Sequence, residues 1–207
     1  MNEYINAILS ANLKPKSILE IGSRDGHDSN TLKKYFNISD ENVWLVEPNP
    51  SQIKKIKEIY PHFNLVESAI SNTNSSFSFN CVKDEEYIGV SSILDRVDGF
   101  YNNITTEKIT VNTITGKQLL KQINLDYIDL CKIDVEGLTY EVIESFENKI
   151  KSIRSMHIEC EHKEIWKNQK LFLDVEHLLK SFNFEMVYFE YICNETIQSD
   201  SIWLNRA

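Results

Sequence analysis

Several protein classes are excluded by what this 207-residue chain lacks. Its four cysteines, Cys81, Cys131, Cys160 and Cys193, form no Cys-x-x-Cys pair and have no paired histidines nearby. Neither a zinc site nor a disulfide framework is expected, and the thiols read as reduced. No stretch approaches the roughly 20 apolar residues that a membrane span requires. Met1 to Leu13 alternates apolar and polar residues without a basic start or long apolar core, so no leader is expected and the location reads as cytoplasmic. On that reading the Asn-x-Ser/Thr sequons at Asn37, Asn74, Asn103 and Asn194 are incidental. Basic charge is short as well: 22 Lys plus Arg stand against 31 Asp plus Glu, a net charge of -9. Such a surface repels phosphate backbones, so nucleic acid is not expected as a partner. Internal repeats, low-complexity tracts and interdomain linkers are also missing, which predicts one domain over residues 1–207.

What is present is an ordinary globular composition, with 42% hydrophobic, 26% charged and 11% aromatic residues. A domain of this size buries about 70% of the surface its unfolded chain exposes, enough for a core held by packing alone. Ile5, Ile8, Leu9 and Leu13 recur at helical spacing and predict an N-terminal helix within residues 1–14, ended by Pro15. Ser17 to Ile21 reads as a buried strand that stops at Gly22. A polar turn then leads to Asp28 or Ser29 as the cap of a helix running through Phe36. Val43 to Val46 is a second strand, followed by Glu47-Pro48-Asn49-Pro50 and a helical face marked by Ile53, Ile56 and Ile59. Leu65 to Ile70 predicts a third strand.

Between Ser71 and Thr115 the pattern turns to Ser, Asn and Thr, with two alternating stretches, Ser76 to Val82 and Lys108 to Thr113, around a loop containing Tyr87 to Leu94. An insertion of this length usually serves function, here shaping an acceptor site. A helix at Gly116 to Ile123 precedes the clearest buried strand, Tyr127 to Val135, and Glu136-Gly137 opens a helix through Glu147. Ile153 to Cys160 predicts a fifth strand, Ile165 to Phe182 a helix, and Phe184 to Ile192 with Ile202 to Leu204 a closing hairpin. Alternating strands and helices predict an α/β fold with a mainly parallel sheet and helices on both faces.

In open α/β sheets, ligands gather beyond the carboxyl ends of the strands where strand order reverses. That directs attention to Glu20 through Gly26, to Glu47 and to Asp134. An acid ending the second strand is spaced to accept hydrogen bonds from both hydroxyls of an adenosine ribose. A dinucleotide site needs Gly-x-Gly-x-x-Gly so that backbone can touch the pyrophosphate, and here Arg24 and His27 fill the second and third glycine positions. S-adenosylmethionine, which has no phosphate, suits the looser Gly22-x-x-x-Gly26 turn preceded by Glu20.

These motifs resemble, in order, those of the FkbM-type class I S-adenosylmethionine-dependent methyltransferases. Ile18-Leu19-Glu20-Ile21-Gly22-Ser23-Arg24-Asp25-Gly26 is similar to the cofactor loop, and Val46-Glu47-Pro48-Asn49-Pro50 to the ribose-binding element. Glu67-Ser68-Ala69-Ile70-Ser71 resembles the segment beside the adenine, and Leu130-Cys131-Lys132-Ile133-Asp134-Val135-Glu136-Gly137 the Lys-Ile-Asp-Val-Glu-Gly hallmark. The resemblance runs from about residue 17 to about residue 162. It implies a Rossmann-like seven-stranded sheet with the last strand antiparallel, and O-methylation of a hydroxyl on a sugar, glycan or small natural product. It further implies cofactor contacts from Glu20, Gly22, Ser23, Arg24, Gly26, Asp28, Glu47, Pro48, Ser68, Ala69 and Asp134. Arg24 stands where the family's loop commonly carries Asn, and Asp28 where it carries an aromatic.

Methyl transfer is an in-line displacement in which alignment supplies much of the acceleration, while a hydroxyl acceptor also gains from a positioned base. Candidates for the chemistry are Lys132, Asp134, Glu136, Glu159 and His162. Alternation along the fourth strand places Lys132 and Asp134 on one face. Lys132 either bridges Glu20 and Glu159 beside the cofactor or forms a buried ion pair without a direct role. Asp134 either touches cofactor or acceptor or caps the next helix. Glu136 either points into the site or favours a helix N-terminus. His162 has an ordinary pKa suited to a base near neutrality, against a structural role. Asp134, Glu136, Glu159 and His162 together could hold a divalent cation. His157 reads as a core residue, Trp166, Tyr188, Tyr191 and Trp203 as packing or a sugar-stacking wall, and Tyr87, Ser91 and Ser92 as acceptor contacts or solvated loop. Rival readings are an NAD-dependent oxidoreductase and a catalytically silent binding module with the same fold.

Overall fold

A computed structural model describes residues 1–100, 103–123, 125–192 and 197–206. Cys193 and the Asn194 sequon lie outside them. The elements in chain order are α1 (Asn2–Ser10), β1 (Ile18–Ile21), α2 (His27–Phe36), β2 (Val43–Val46), α3 (Pro50–Ile59), β3 (Asn64–Val66), β4 (Ala69–Ile70), β5 (Ser76–Val82), β6 (Thr106–Ile114), α4 (Gly116–Gln122), β7 (Leu130–Ile133), α5 (Thr139–Ser145), β8 (Ser155–Glu161), α6 (Phe172–Ser181), β9 (Phe184–Tyr191) and β10 (Gln198–Asn205).

The main sheet has seven strands in the order β3-β2-β1-β7-β8-β10-β9. β1 pairs in parallel with β2 and β7, β2 with β3, and β7 with β8, whereas β10 runs antiparallel to both neighbours. This is the expected α/β Rossmann-like sheet with its last strand reversed. The chain leaves β1 toward β2 and β3 and then returns to the other side of β1 at β7. That reversal opens a crevice above the carboxyl ends of β1, β2 and β7.

Side-chain alternation divides the core between the two faces of the sheet. Leu130 packs with Ile18, Val43 and Leu45 beneath α1, α2 and α3, where Tyr4, Ile8, Leu32 and Ile56 are buried. Cys131 and Ile133 pack on the opposite face with Leu19, Ile21, Met156 and Ile158 beneath Leu119, Val142, Ile143, Val175 and Leu179 of α4, α5 and α6. Tyr4 pins α1 to the sheet: its hydroxyl accepts from the Cys131 N–H at 3.1 Å and lies 2.9 Å from Ser155 Oγ.

Several boundaries differ from the pattern-based reading. Helix α2 starts at His27, with Gly26 in a left-handed conformation at its cap. Neither Asp28 nor Ser29 caps it, because both already lie within the first turn. The stretch Leu65 to Ile70 splits: β3 ends at Val66, and Ala69–Ile70 joins a separate three-stranded sheet in the order β4-β6-β5. The helix expected from Ile165 begins only at Phe172. Before it, the Gln169 side-chain oxygen accepts the N–H groups of Ile165 and Trp166 at 2.7 and 2.6 Å, which holds the segment as a loop. Helix α5 starts at Thr139, with Leu138 at its cap, so Asp134 is not its cap. Ile59 is 58% exposed and Tyr191 44% exposed, so neither belongs to the core as the periodicity suggested.

Candidate active site

The crevice spans about 590 Å³ of space free of protein atoms, the solvent at its mouth included. Of the residues singled out from the sequence, Gly22, Arg24, Glu47, Pro48, Ser68, Ala69, Asp134 and Glu136 line it, whereas Glu20, Ser23, Gly26, Asp28, Lys132, Glu159 and His162 do not. From the insertion come Phe79, Ile88, Gly89, Ser91 and Ile93. The insertion thus walls the same crevice that the β1 and β2 turns enter. The pattern had suggested only an acceptor-side role, because alternation in β5 and β6 says nothing about where their connecting loop folds.

The turn after β1 depends on glycine at its first position. Gly22 has φ +79°, and a Cβ there would sit 1.8 Å from the Asp134 carbonyl oxygen. The turns after β1 and β7 therefore touch through backbone, which brings Asp134 beside the β1 loop. Arg24 is also left-handed, at φ +49°, and its N–H donates to Glu47 Oε2 at 2.8 Å. Glu47 Oε1 accepts the Asn49 N–H, also at 2.8 Å. The β1 turn and the start of α3 thereby fix the carboxylate at the second strand tip, 5% exposed. Burial, offset in part by these hydrogen bonds, raises its pKa to about 8.

Below this, Lys132 is an electrostatic hub. Its Nζ lies 2.9 Å from Asp28, 3.0 Å from Asp134 and 3.8 Å from Glu20. The bridge to Glu159 anticipated from strand adjacency is not formed; Asp28, on the first turn of α2, takes its place. Glu20 also accepts the Ser29 N–H at 3.1 Å. Burial raises the Glu20 pKa to about 7 despite Lys132. Burial opposes ionisation of Asp28 too, but Lys132 outweighs it and the carboxyl titrates below its ordinary range. Burial disfavours the Lys132 ammonium, yet Asp134, Glu20 and Asp28 together hold it charged far above its usual pKa.

At the tips of β7 and β8, one carboxylate oxygen from each of Asp134, Glu136 and Glu159 lies within 4.8 Å of the others. That spacing lets the three hold one divalent cation. Burial and mutual repulsion raise the pKa of both Glu136 and Glu159 well above the carboxylate norm. Glu159 Oε1 also accepts from Gln198 Nε2 at 3.0 Å, and Glu161, 3% exposed, accepts from Gln169 Nε2 at 2.9 Å. His162 stands outside the group. Its Nε2 is 2.8 Å from Ser199 Oγ, and its ring stacks on Phe172 with Tyr191 at its edge. Burial lowers its pKa. His157 is buried on the sheet with its Nε2 3.3 Å from Asp200, and Trp166 and Trp203 are wholly buried.

Backbone strain marks the centre of the site. Glu136 and Gly137 both have positive φ, at +50° and +92°, where a β-carbon is disfavoured at Glu136 and tolerated only because the surroundings hold it. Ser92 Oγ donates to the Glu136 carbonyl at 2.7 Å. Gly137 lies so close to Trp166 that a Cβ would approach its ring to 2.5 Å. The insertion and the 162–171 loop are joined there by Val97 N–H to Ile165 O and Lys167 N–H to Asp95 O, both 2.8 Å. Arg96 lies over the Trp166 ring at 5.4 Å. The sequence reading weighed Ser92 as an acceptor contact, whereas it is 1% exposed and braces Glu136. Arg96, Phe79 and Ile93 carried no local signal, because their roles arise from contact across about 70 residues or from packing of the insertion, whereas Gln169 acts on residues three, four and eight positions before it. Asn49 did stand inside a noted motif.

The residues 20–186 match the model of the methyltransferase FkbM domain. No curated protein sequence matches the chain. Among solved structures, the fold is similar to a methyltransferase FkbM from Methylobacillus flagellatus KT, with TM-score 0.56 and 11% identity over 92% of this chain and 44% of that one. The chain thus spans less than half of that protein. It is also similar to magnesium protoporphyrin IX methyltransferase from Synechocystis PCC 6803 with bound S-adenosylmethionine, with TM-score 0.54 and 9% identity over 99% and 77% of the chains. A third likeness is to TrmK from M. capricolum in complex with S-adenosylhomocysteine, with TM-score 0.52 and 11% identity over 92% and 62%. With a family match across most of its length, the chain belongs to the FkbM methyltransferase family.

Proposed function

We propose that this chain is an S-adenosylmethionine-dependent O-methyltransferase acting on a hydroxyl of a sugar, glycan or small natural product. The observation that carries the reading is that Glu47 from the tip of β2 and Asp134 and Glu136 from the tip of β7 line one crevice. The donor set fits the cofactor. Glu47 retains lone pairs for ribose hydroxyls, and the carboxyl oxygens of Asp134 and Glu136 on the same crevice wall offer acceptors for the cofactor's ammonium. When bound, the cofactor supplies an electrophilic methyl group.

The protein's own residues then do three things. Lys132 pairs with Asp28 and Asp134 and so positions Asp134 on the crevice wall to accept a hydrogen bond from the acceptor. Glu136 also lines the crevice, and its carboxyl oxygen takes the hydroxyl proton. Burial beside Asp134 and Glu161 raises the Glu136 pKa, which makes its carboxylate a stronger proton acceptor. Glu159, tied to Gln198 and off the crevice wall, is itself raised by burial and by repulsion from Asp134 and Glu136. Phe79, Ile88 and Ile93 exclude water from the same space.

The test is transfer from S-adenosylmethionine labelled in its methyl group to a panel of polyhydroxylated acceptors, with the product analysed for methyl ethers. Label in an ether supports the reading. Label only on nitrogen or carbon, or saturable NADH binding by a protein that ignores S-adenosylhomocysteine, overturns it. No helix among the described residues is long and apolar enough to cross a membrane, and a cytoplasmic location belongs to the same proposal.

A further inference from the structure

Arg24 stands on the turn after β1 with a left-handed backbone, φ +49°, a conformation that glycine and asparagine adopt far more readily than a long side chain. Residues held against that preference cluster at functional sites. The side chain is exposed and reaches the insertion: a Cβ built on Gly89 would lie 3.7 Å from Arg24 Nη1 and 3.8 Å from its Cδ. Arg24 and Gly89 both line the crevice, and among the described residues that do so Arg24 is the one cation, against Glu47, Asp134 and Glu136. Lys132 is committed to three carboxylates, and Arg96 Nη2 donates to the Val90 carbonyl at 2.8 Å. The Arg24 backbone N–H serves Glu47, but its guanidinium makes no ion pair or hydrogen bond among the described residues. A charged fork with five donors is thus left open on the wall shared by the β1 turn and the insertion.

We propose that the Arg24 guanidinium binds an anionic group of the acceptor, and that the substrate is a sugar carrying a carboxylate or a phosphate in addition to the hydroxyl that is methylated. The inference rests on the reading of this crevice as a site of O-methylation. A guanidinium presents paired N–H donors whose geometry matches both anions. Glu47, Asp134 and Glu136 on the same crevice disfavour a second negative charge beside them, so the acidic group of the sugar is directed to Arg24 while an uncharged hydroxyl meets the carboxyl oxygens. A neutral sugar gains nothing from the cation, and Arg24 therefore selects the acceptor as well as orienting it.

Arg24→Gln tests this, since it removes the charge and keeps the backbone N–H that serves Glu47. Calorimetric titration of wild type and variant, each saturated with S-adenosylhomocysteine, with glucuronate, glucose 6-phosphate and glucose gives the readout. Wild type is expected to bind at least one of the two acidic sugars about tenfold more tightly than glucose, and the variant to lose most of that preference. If both acidic sugars bind wild type no more tightly than glucose, or if the preference survives in the variant, the proposal is overturned. The cofactor's own carboxylate is the other anion available to this guanidinium, so both proteins are also titrated with S-adenosylhomocysteine and with its decarboxylated analogue. A preference for the carboxylated ligand that disappears in Arg24→Gln assigns the guanidinium to the cofactor and overturns the proposal, whereas one that is equal in both proteins supports it. Should Arg24→Gln lower the melting temperature, Arg24→Asn, better suited to the left-handed backbone, provides the same comparison. A wild-type protein that does not bind S-adenosylhomocysteine refutes the cofactor reading itself, and methyl label found only on nitrogen or carbon refutes the hydroxyl reading; neither outcome needs a variant to recognise.

Discussion

Cofactor binding should be tightly linked to pH through Glu47. In the free protein, burial lifts this carboxyl to about 8 against the two N–H donors that favour its charge. The ionised form is the better acceptor for two ribose hydroxyls, so binding selects it and expels a proton. At pH 6, about two units below that pKa, roughly 1% of the free protein has Glu47 charged, a handicap of about 2.7 kcal/mol, or a factor of about 100, relative to pH well above 8. Affinity for S-adenosylhomocysteine should therefore rise about tenfold per pH unit from 6 to 8 and then level off. Titration calorimetry in buffers of different ionisation enthalpy measures both the affinity and the proton released. Glu47→Gln should bind weakly and lose the slope between pH 7 and 8. Glu20→Gln should retain it there, since Glu20 is off the crevice wall and titrates near 7. An affinity that is flat from pH 6 to 8 in wild type, or a slope that survives in Glu47→Gln, would refute the assignment of Glu47 as the ribose acceptor.

The same carboxylates should make the ligand-free fold less stable as pH rises. Glu20, Glu47 and Glu161 titrate near 7, 8 and 7 in the fold, above their ordinary value of 4.5. The folded state binds the extra protons, so its stability is greatest below pH 4.5 as far as these groups are concerned and falls between about 5 and 8. A loss of a few kcal/mol corresponds to roughly 5–10 °C in melting temperature, readable by calorimetric scans across that window. Lys132→Ala should cost about 3–5 kcal/mol in urea denaturation, because it leaves Glu20, Asp28 and Asp134 without their shared cation. A cost under about 1 kcal/mol would show that these acids are solvated rather than paired. Gly22→Ala should lower stability by roughly 3 kcal/mol or more, since its methyl meets the Asp134 carbonyl at a positive φ; an unchanged melting temperature would contradict the contact between the two turns. Asp134→Asn should preserve the fold and slow methyl transfer, and full activity would make Asp134 structural.

Much of the fold was legible in the sequence because short apolar runs end at residues with a single physical meaning. Val43 to Val46 ends at Glu47-Pro48, and Ile18 to Ile21 ends at a glycine whose φ no other residue adopts easily. Those same endings carry Glu47, Gly22 and Asp134 into the crevice, so that half of the site was readable too. The remainder depends on pairing over long distances. The Glu159 carboxylate was expected to meet Lys132 from strand adjacency, but Asp28 on the first turn of α2 takes that position. Residues 165–171 carry a helical pattern, yet Gln169 diverts their N–H groups into a loop tied to the insertion. His162 has an attractive intrinsic pKa, but its ring packs against Phe172 and Phe189 and does not line the crevice. For Lys132 and His162 tertiary partners decide the arrangement, and for residues 165–171 a side chain three and four positions away does so.

A structure of the protein with S-adenosylhomocysteine bears most directly on the account. The expected result places the ribose hydroxyls within hydrogen-bond distance of Glu47 and the sulfur facing Asp134 and Glu136. A ligand bound elsewhere, or a crevice that stays empty at saturating concentration, would contradict it.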